Sequence, residues 1–227
     1  MRRAVVFDLD DTLYLERDYV RSGFRHVSRY LAEQCSVPES QLYDYLWNAF
    51  TQGLRGTAFD DLIRNFGLQV QAAELVSEYR DHPPEISLAS STVEILQSLV
   101  SDGYQLGLIT DGRAGTQRRK IASLRLADIF DEIIPTDSLG REYWKPHPRA
   151  FREMQASLRV LNPQDLMYVG DNPSKDFVAP NDLGWRSTQL SRAGQLYTQL
   201  EPPTVRAEPH HRVASLLELH ALLAAWQ

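Results

Sequence analysis

Apolar positions along the chain follow two spacings, and the change between them marks out the architecture. Ala4–Phe7 is a short, continuous apolar run rich in β-branched and aromatic residues, and it predicts a buried strand. From Tyr14 to about Pro84 the spacing becomes helical. Val20, Phe24, Val27 and Leu31 fall on one helix face, and Leu42, Leu46, Ala49 and Phe50 repeat the pattern. Ser36 with Glu39 suggests a capping box for that second helix, with Pro38 in its first turn. Weaker helical segments follow near 58–66 and 71–81, and no strand is predicted in this region. His82-Pro83-Pro84 then breaks the pattern.

Beyond the break, strands and helices alternate. Ser91 with Glu94 is read as opening a helix that runs to about Asp102, where Gly103 ends it. Gln105–Thr110 reads as a strand, 114–124 as a helix, and Ile133-Ile134 as a short strand. The segment 148–159 reads as a helix and Asp165–Gly170 as a strand. A helix to Leu183 and a strand Trp185–Leu190 follow. Pro180 fits that helix only in its first turn, which implies a start near Phe177. The polar, Pro-rich stretch 191–211 is expected to be a surface loop, and Val213–Trp226 a closing helix. Alternating β and α units imply a parallel sheet with helices on both faces. The expected organisation is therefore an α/β, Rossmann-like core of residues 1–14 and 88–227, with an inserted helical domain at 15–87.

Composition narrows the function classes. With 227 residues and 43% hydrophobic content, the chain can bury a sizeable core. A net charge of −6 provides no long-range attraction to nucleic acid or anionic membranes, so neither partner is expected. No stretch approaches the roughly 20 apolar residues needed to cross a bilayer. The N-terminal MRRAVVFDLD has no apolar segment long enough for a signal peptide. The single cysteine, Cys35, allows no intrachain disulfide and fits a reducing cytoplasm. No His spacing pairs with it as a zinc site.

The chemistry-bearing residues sit at the predicted strand ends, where open α/β sheets place their ligands. Asp8-Leu9-Asp10-Asp11-Thr12 follows the first strand, and Thr110-Asp111-Gly112 the second. Lys145 lies in Trp144-Lys145-Pro146-His147-Pro148. Gly170-Asp171-Asn172-Pro173-Ser174-Lys175-Asp176 follows the strand ending at Gly170. Asp8–Thr12 and Gly170–Pro173 alone also read as ordinary turns, and a lone Thr110 or Lys145 carries almost no signal. Packing Asp8, Asp10, Asp171 and Asp176 together would be strongly repulsive without a lysine and a divalent cation, and all-oxygen ligation suits Mg²⁺. Asp11 is read as solvent-facing or a local cap, and Arg118-Arg119-Lys120 as a solvated helix face. Arg113 reads equally as a surface or a substrate-reaching residue, and His147 as a loop residue.

The four clusters, VVFDLDDT, LGLIT, WKPHP and YVGDNPSKD, occur in the order found in the haloacid dehalogenase superfamily, and the chain resembles its phosphatase branch over about 1–14 and 88–190. That resemblance implies Asp8 as a nucleophile forming an aspartyl-phosphate and Asp10 as general acid and base. It implies Mg²⁺ held by the carboxylates of Asp8 and Asp171 and the backbone carbonyl of Asp10. Thr110 and Lys145 would bind phosphate. Asp176 would orient Lys145 or a metal-bound water, and Thr12 would steady the Asp loop. The helical insert corresponds to the family's cap, and the substrate is expected to be a small phosphorylated metabolite such as a sugar phosphate or nucleoside monophosphate. Glu16, Arg17, Tyr19 and Arg21, just past the Asp loop, are candidates to line the site, and read equally as an ordinary helix surface. A dehalogenase of the same superfamily would lack Asp10. A phosphosugar mutase and a non-catalytic binding domain stay open, and the oligomeric state is not legible.

Overall fold

The computed structural model describes residues 3–197 and 200–226. Thr198 and Gln199, inside the expected 191–211 loop, and the domain ends Met1, Arg2 and Gln227 lie outside the described residues. The chain divides into two compact units, residues 1–17 with 87–227, and residues 18–86.

The first unit is built on a parallel sheet of six strands. These are β1 (Ala4–Phe7), β2 (Gln105–Thr110), β3 (Glu132–Pro135), β4 (Leu166–Gly170), β5 (Arg186–Leu190) and β6 (His211–Val213), in the order β3-β2-β1-β4-β5-β6. Strand order reverses at β1, which pairs with β2 on one side and β4 on the other; Phe7 lies opposite both Leu108 and Val169. This register brings the carboxyl ends of β1, β2 and β4 side by side. It also explains why β1 reads as a continuous apolar run, since all four of its residues are buried from both faces.

On one face Ala4, Val6, Ile109, Leu166 and Tyr168 pack with Phe151 and Met154 of α7 (Arg149–Leu158), Ala179 of α8 (Val178–Asp182), and Trp185. Gly107 in β2 makes this fit possible, because a Cβ there would lie 2.6 Å from the Met154 sulfur. Phe151, Phe177, Tyr168 and Trp185 are among the largest fully buried side chains. Each such burial is worth about 1.5–3 kcal/mol. Elsewhere in this unit α5 (Ser90–Ser101) contacts β2, and α9 (Leu216–Ala224) contacts both α5 and β6. Pro180 is the third residue of α8, in the tolerated first turn.

The second unit is helical. It comprises α1 (Glu16–Ala32) from Asp18 onward, α2 (Glu39–Thr51), α3 (Ala58–Phe66) and α4 (Ala72–Asp81), around Val20, Phe24, Val27, Leu31, Leu42, Leu46, Leu62 and Leu75. The helical spacing of the sequence picks out the α1 and α2 positions of this core, but not Leu62 and Leu75 of the weaker α3 and α4 segments.

Three local expectations need correction. The Ser36/Glu39 capping box does not form: Pro38 is the N-cap of α2 and no side chain caps it. Nor does the Ser91/Glu94 box, because α5 starts at Ser90, after an Ala89 N-cap. Ser215 instead caps α9, its hydroxyl accepting from the Glu218 N–H at 3.1 Å. The 191–211 stretch also holds more than a surface loop. Gln195 is buried, and the segment ends by entering β6, an edge strand whose His211-Arg212-Val213 carries no apolar alternation.

Candidate active site

β1 leads into Asp8, whose backbone N–H donates to the Val169 carbonyl at 2.8 Å and so continues the ladder into the Asp8–Thr12 loop. Asp8 is only 2% exposed. Lys145 Nζ donates to Asp8 Oδ1 at 2.5 Å, to Asp176 Oδ1 at 2.8 Å and to the Tyr168 hydroxyl at 3.0 Å. All three ammonium donors are thereby used. The Lys145 side chain is fully buried, and its two carboxylate partners hold its pKa well above the usual lysine range despite the opposing effect of burial. Asp176 is held on both oxygens, since its Oδ2 accepts from the Asn172 N–H at 2.9 Å. Burial would raise the Asp176 pKa, but Lys145 and Lys175 outweigh it and lower the pKa. Gly170 leaves room for this carboxylate: a Cβ there would stand 2.5 Å from Asp176 Oδ2.

A second shortage of charge balance remains. Oxygens of Asp8, Asp171 and Asp176 lie within 4.8 Å of one another, and all three residues are buried. Asp8 Oδ2 is buried without a hydrogen-bond partner. Burial, together with the neighbouring Asp176 and Asp8, pushes Asp171 up to about 9, and burial pushes Asp8 up to about 6 despite Lys145. Lys145 and Lys175 together supply two positive charges against these three carboxylates, so the cluster is not neutralised. Its donor set is all oxygen, which fits a hard divalent cation.

Asp10 faces a different set of partners. Its Oδ1 accepts from the Tyr14 hydroxyl and from Lys120 Nζ, the latter at 2.7 Å, and its Oδ2 accepts from Gln117 Nε2 at 3.0 Å. Burial would raise its pKa, but Lys120 and the three donated hydrogen bonds prevail and lower it. Gln117 Nε2 also donates to Thr110 Oγ1 at 2.6 Å. Close by in charge, Glu16 is pushed up to about 7 by burial and by Asp10, against the pull of Lys120.

The expected residues therefore fall into two groups. Asp8, Lys145, Asp171 and Asp176 form one cluster, and Asp10 and Thr110 are joined through Gln117. The Thr12 hydroxyl joins neither; it is buried without a partner, and Thr12 acts through its backbone carbonyl, which accepts from Arg192 at 3.1 Å. Reading Lys120 as solvated was wrong. It is buried and paired with Asp10, on the face of α6 (Ala114–Ser123) that also carries Gln117 and Ile121. That face was legible in the spacing of Gln117, Ile121 and Leu124, which the Arg-Arg-Lys run obscured. Of the two readings of Asp11, solvent-facing fails, since it is buried, and local cap holds, since it accepts from the N–H of Glu16, the first residue of α1. Asp11 holds a left-handed φ of 59° while its two oxygens accept from the N–H groups of Glu16 and Leu196, at 2.8 and 2.7 Å. Short polar side chains tolerate that conformation. Gln195 reinforces the loop by donating to the Asp11 carbonyl at 2.8 Å. Asp111, another residue the sequence reading left unassigned, accepts from the Lys145 N–H at 3.1 Å and from the Thr136 hydroxyl at 2.7 Å, anchoring the lysine loop. Arg113 and His147 are exposed. In the helical unit Tyr19 is buried, its hydroxyl donating to the Tyr79 carbonyl at 3.3 Å. Arg21 pairs with Asp18 and lies over the Trp47 ring.

Residues 5–189 match the family model described as haloacid dehalogenase-like hydrolase. This chain belongs to that family. Curated relatives carry phosphatase names. A glyceraldehyde 3-phosphate phosphatase of Methanopyrus kandleri is 28% identical over 89% of this chain and 88% of its own. The pyrophosphatase PpaX of Bacillus thuringiensis is 26% identical over 88% of this chain and 89% of its own. The HAD hydrolase YfnB of Bacillus subtilis, solved bound to magnesium, shares the fold with a TM-score of 0.70 at 18% identity, covering 98% of both chains. The HAD chain is thus an enzyme of the phosphatase type. Among the described residues no helix is long and apolar enough to cross a membrane.

Proposed function

We propose that this HAD phosphatase hydrolyses the phosphate monoester of a small metabolite in a Mg²⁺-dependent reaction, with Asp8 as covalent nucleophile. The observation that carries this reading is the state of Asp8: one oxygen held by Lys145, the other buried and unpartnered. Such an oxygen calls for an electrophile or a cation. The carboxylates of Asp8 and Asp171 and the carbonyl of Asp10 would hold Mg²⁺, which when bound supplies charge neutralisation between carboxylate and phosphate.

The residues divide the remaining work. Asp8 forms a bond to phosphorus as the bond from phosphorus to the ester oxygen breaks; Asp10, ionised against Lys120 in the free enzyme, takes up a proton as the phosphate ester binds and gives it to that oxygen. The alcohol departs, leaving an aspartyl-phosphate. Asp10 then takes a proton from the attacking water, the bond between phosphorus and Asp8 breaks, and inorganic phosphate is released. Thr110 donates to a phosphoryl oxygen, and Lys145 balances charge on Asp8 and the phosphoryl group. Asp176, held on both oxygens, orients Lys145. The helical unit, as a cap, selects the leaving group.

The relative acting on glyceraldehyde 3-phosphate favours a sugar phosphate over a nucleoside monophosphate. The pyrophosphatase relatives support inorganic pyrophosphate as a second reading. A substrate panel containing triose, pentose and hexose phosphates, nucleoside monophosphates and pyrophosphate, run with Mg²⁺ and with excess chelator, tests both. Turnover of a phosphorylated sugar that stops in chelator is expected. Full activity in chelator would remove the metal, and pyrophosphate as the best substrate would replace the monoester.

A further inference from the structure

Gln117 ties together the two members of the second group, Asp10 and Thr110. Its amide nitrogen donates to Asp10 Oδ2 at 3.0 Å and to Thr110 Oγ1 at 2.6 Å. An amide NH₂ has two donors, and both are committed. Gln117 is 1% exposed, so its position is set by packing rather than by solvent. The loop after Thr110 is shaped around it: Gly112, at φ 121°, would bring a Cβ to 3.2 Å from the Gln117 amide carbon.

The consequence lies in the lone pairs of Asp10. A carboxylate offers about four acceptor positions. Tyr14 and Lys120 occupy two on Oδ1, and Gln117 occupies one on Oδ2. The position left open is on Oδ2, the oxygen tied to Gln117. We propose that Gln117 is a positioning residue for the acid/base step. It fixes the orientation of Asp10 so that the open position of Oδ2 exchanges the proton with the leaving oxygen, and it holds that position in register with the phosphoryl group through Thr110. The inference rests on the phosphatase reading above and adds a residue to it. Gln117 acts through Asp10 and Thr110.

The test separates this role from mere support of the fold. The first irreversible step is phosphoryl transfer to Asp8, and kcat/KM reports it. Gln117→Leu should widen the ratio of kcat/KM for p-nitrophenyl phosphate to that for an alkyl phosphate by about tenfold or more, since the alkyl leaving group depends on protonation and general acid catalysis contributes about 10²–10⁴-fold. Gln117→Met, which keeps an unbranched stem, should do the same and serves if the Leu variant does not fold. In an Asp10→Asn background the Leu or Met change should not widen the ratio further. An equal loss for both esters, or a widening that persists without the Asp10 carboxylate, overturns the inference. Asp8→Asn, measured alongside, tests the underlying reading separately: retained turnover in that variant overturns the phosphatase mechanism whatever Gln117 does.

Discussion

Lys120→Met is the perturbation whose size the structure defines best. Lys120 Nζ lies 2.7 Å from Asp10 Oδ1, with side chains only 5% and 19% exposed. Exposed ion pairs contribute about 0–1 kcal/mol. Breaking a buried pair by removing one partner costs about 3–5 kcal/mol, because the other charge is left unmatched. Asp10 keeps the Tyr14 and Gln117 donors, which places the expected loss near the lower end, about 3 kcal/mol. For a chain of this size that corresponds to a fall of about 6–12 °C in the melting of the α/β unit. The loss also has a pH signature. In the wild type the lowered Asp10 pKa supplies stability that is present above the unfolded value of 3.8 and is lost only as pH falls through the folded value. Without Lys120, burial is no longer overcome and the folded pKa rises, so stability declines as pH climbs above the unfolded value. The deficit of the variant should therefore be larger at pH 8 than at pH 5. Thermal melts at both values, repeated in an Asp10→Asn background, measure it. A deficit below 1 kcal/mol, or one undiminished when Asp10 carries no charge, would refute the reasoning.

Other perturbations follow the same logic. In excess chelator the protein should lose stability as pH rises from about 4 toward 9, because Asp171 and Asp8, raised to about 9 and about 6, stay protonated when folded at pH values where the unfolded chain has released its protons. Each contributes a slope of about 1.4 kcal/mol per pH unit inside its window; Mg²⁺ should flatten the slope, and a melting temperature independent of pH would contradict the cluster's charge imbalance. Gly170→Ala should displace Asp176, whose Oδ2 would face the new Cβ at 2.5 Å, and should lower kcat by tenfold or more while the fold survives, read by turnover alongside circular dichroism. Asp10→Asn should depress hydrolysis of alkyl phosphates more than that of p-nitrophenyl phosphate, since general acid catalysis is worth about 10²–10⁴-fold where the leaving group is poor.

The sheet was legible in the sequence because a parallel sheet buried on both faces leaves continuous apolar runs, as in Ala4–Phe7 and Gln105–Thr110. The carboxylates were legible because they follow those runs immediately. The strand-end rule thus picked out Asp8, Asp10, Thr110 and Asp171 before any geometry was known. What escaped notice comes from elements whose signal is mixed. β6 is too short and polar to stand out at the sheet edge. Lys120 and Gln117 lie on a helix whose inward face is partly charged, so a pattern keyed to apolar residues treats them as surface. Asp11, Gln195 and Arg192 brace the Asp8–Thr12 loop across 180 residues or more of sequence separation, which no local pattern encodes. Ser36 and Ser91 show the opposite error. A capping signature in sequence needs the chain to enter the helix at that residue, and at both helices it enters elsewhere.

The central claim is that Asp8 carries the phosphoryl group. Acid quenching of the enzyme during turnover of p-nitrophenyl phosphate, followed by borohydride reduction and peptide mapping, tests it directly, because reduction of an acyl phosphate converts the aspartyl side chain to an alcohol. Modification at Asp8 that needs substrate and vanishes in Asp8→Asn is the predicted result. An enzyme that turns over fully with Asp8 never modified, or with the label on another residue, would contradict it.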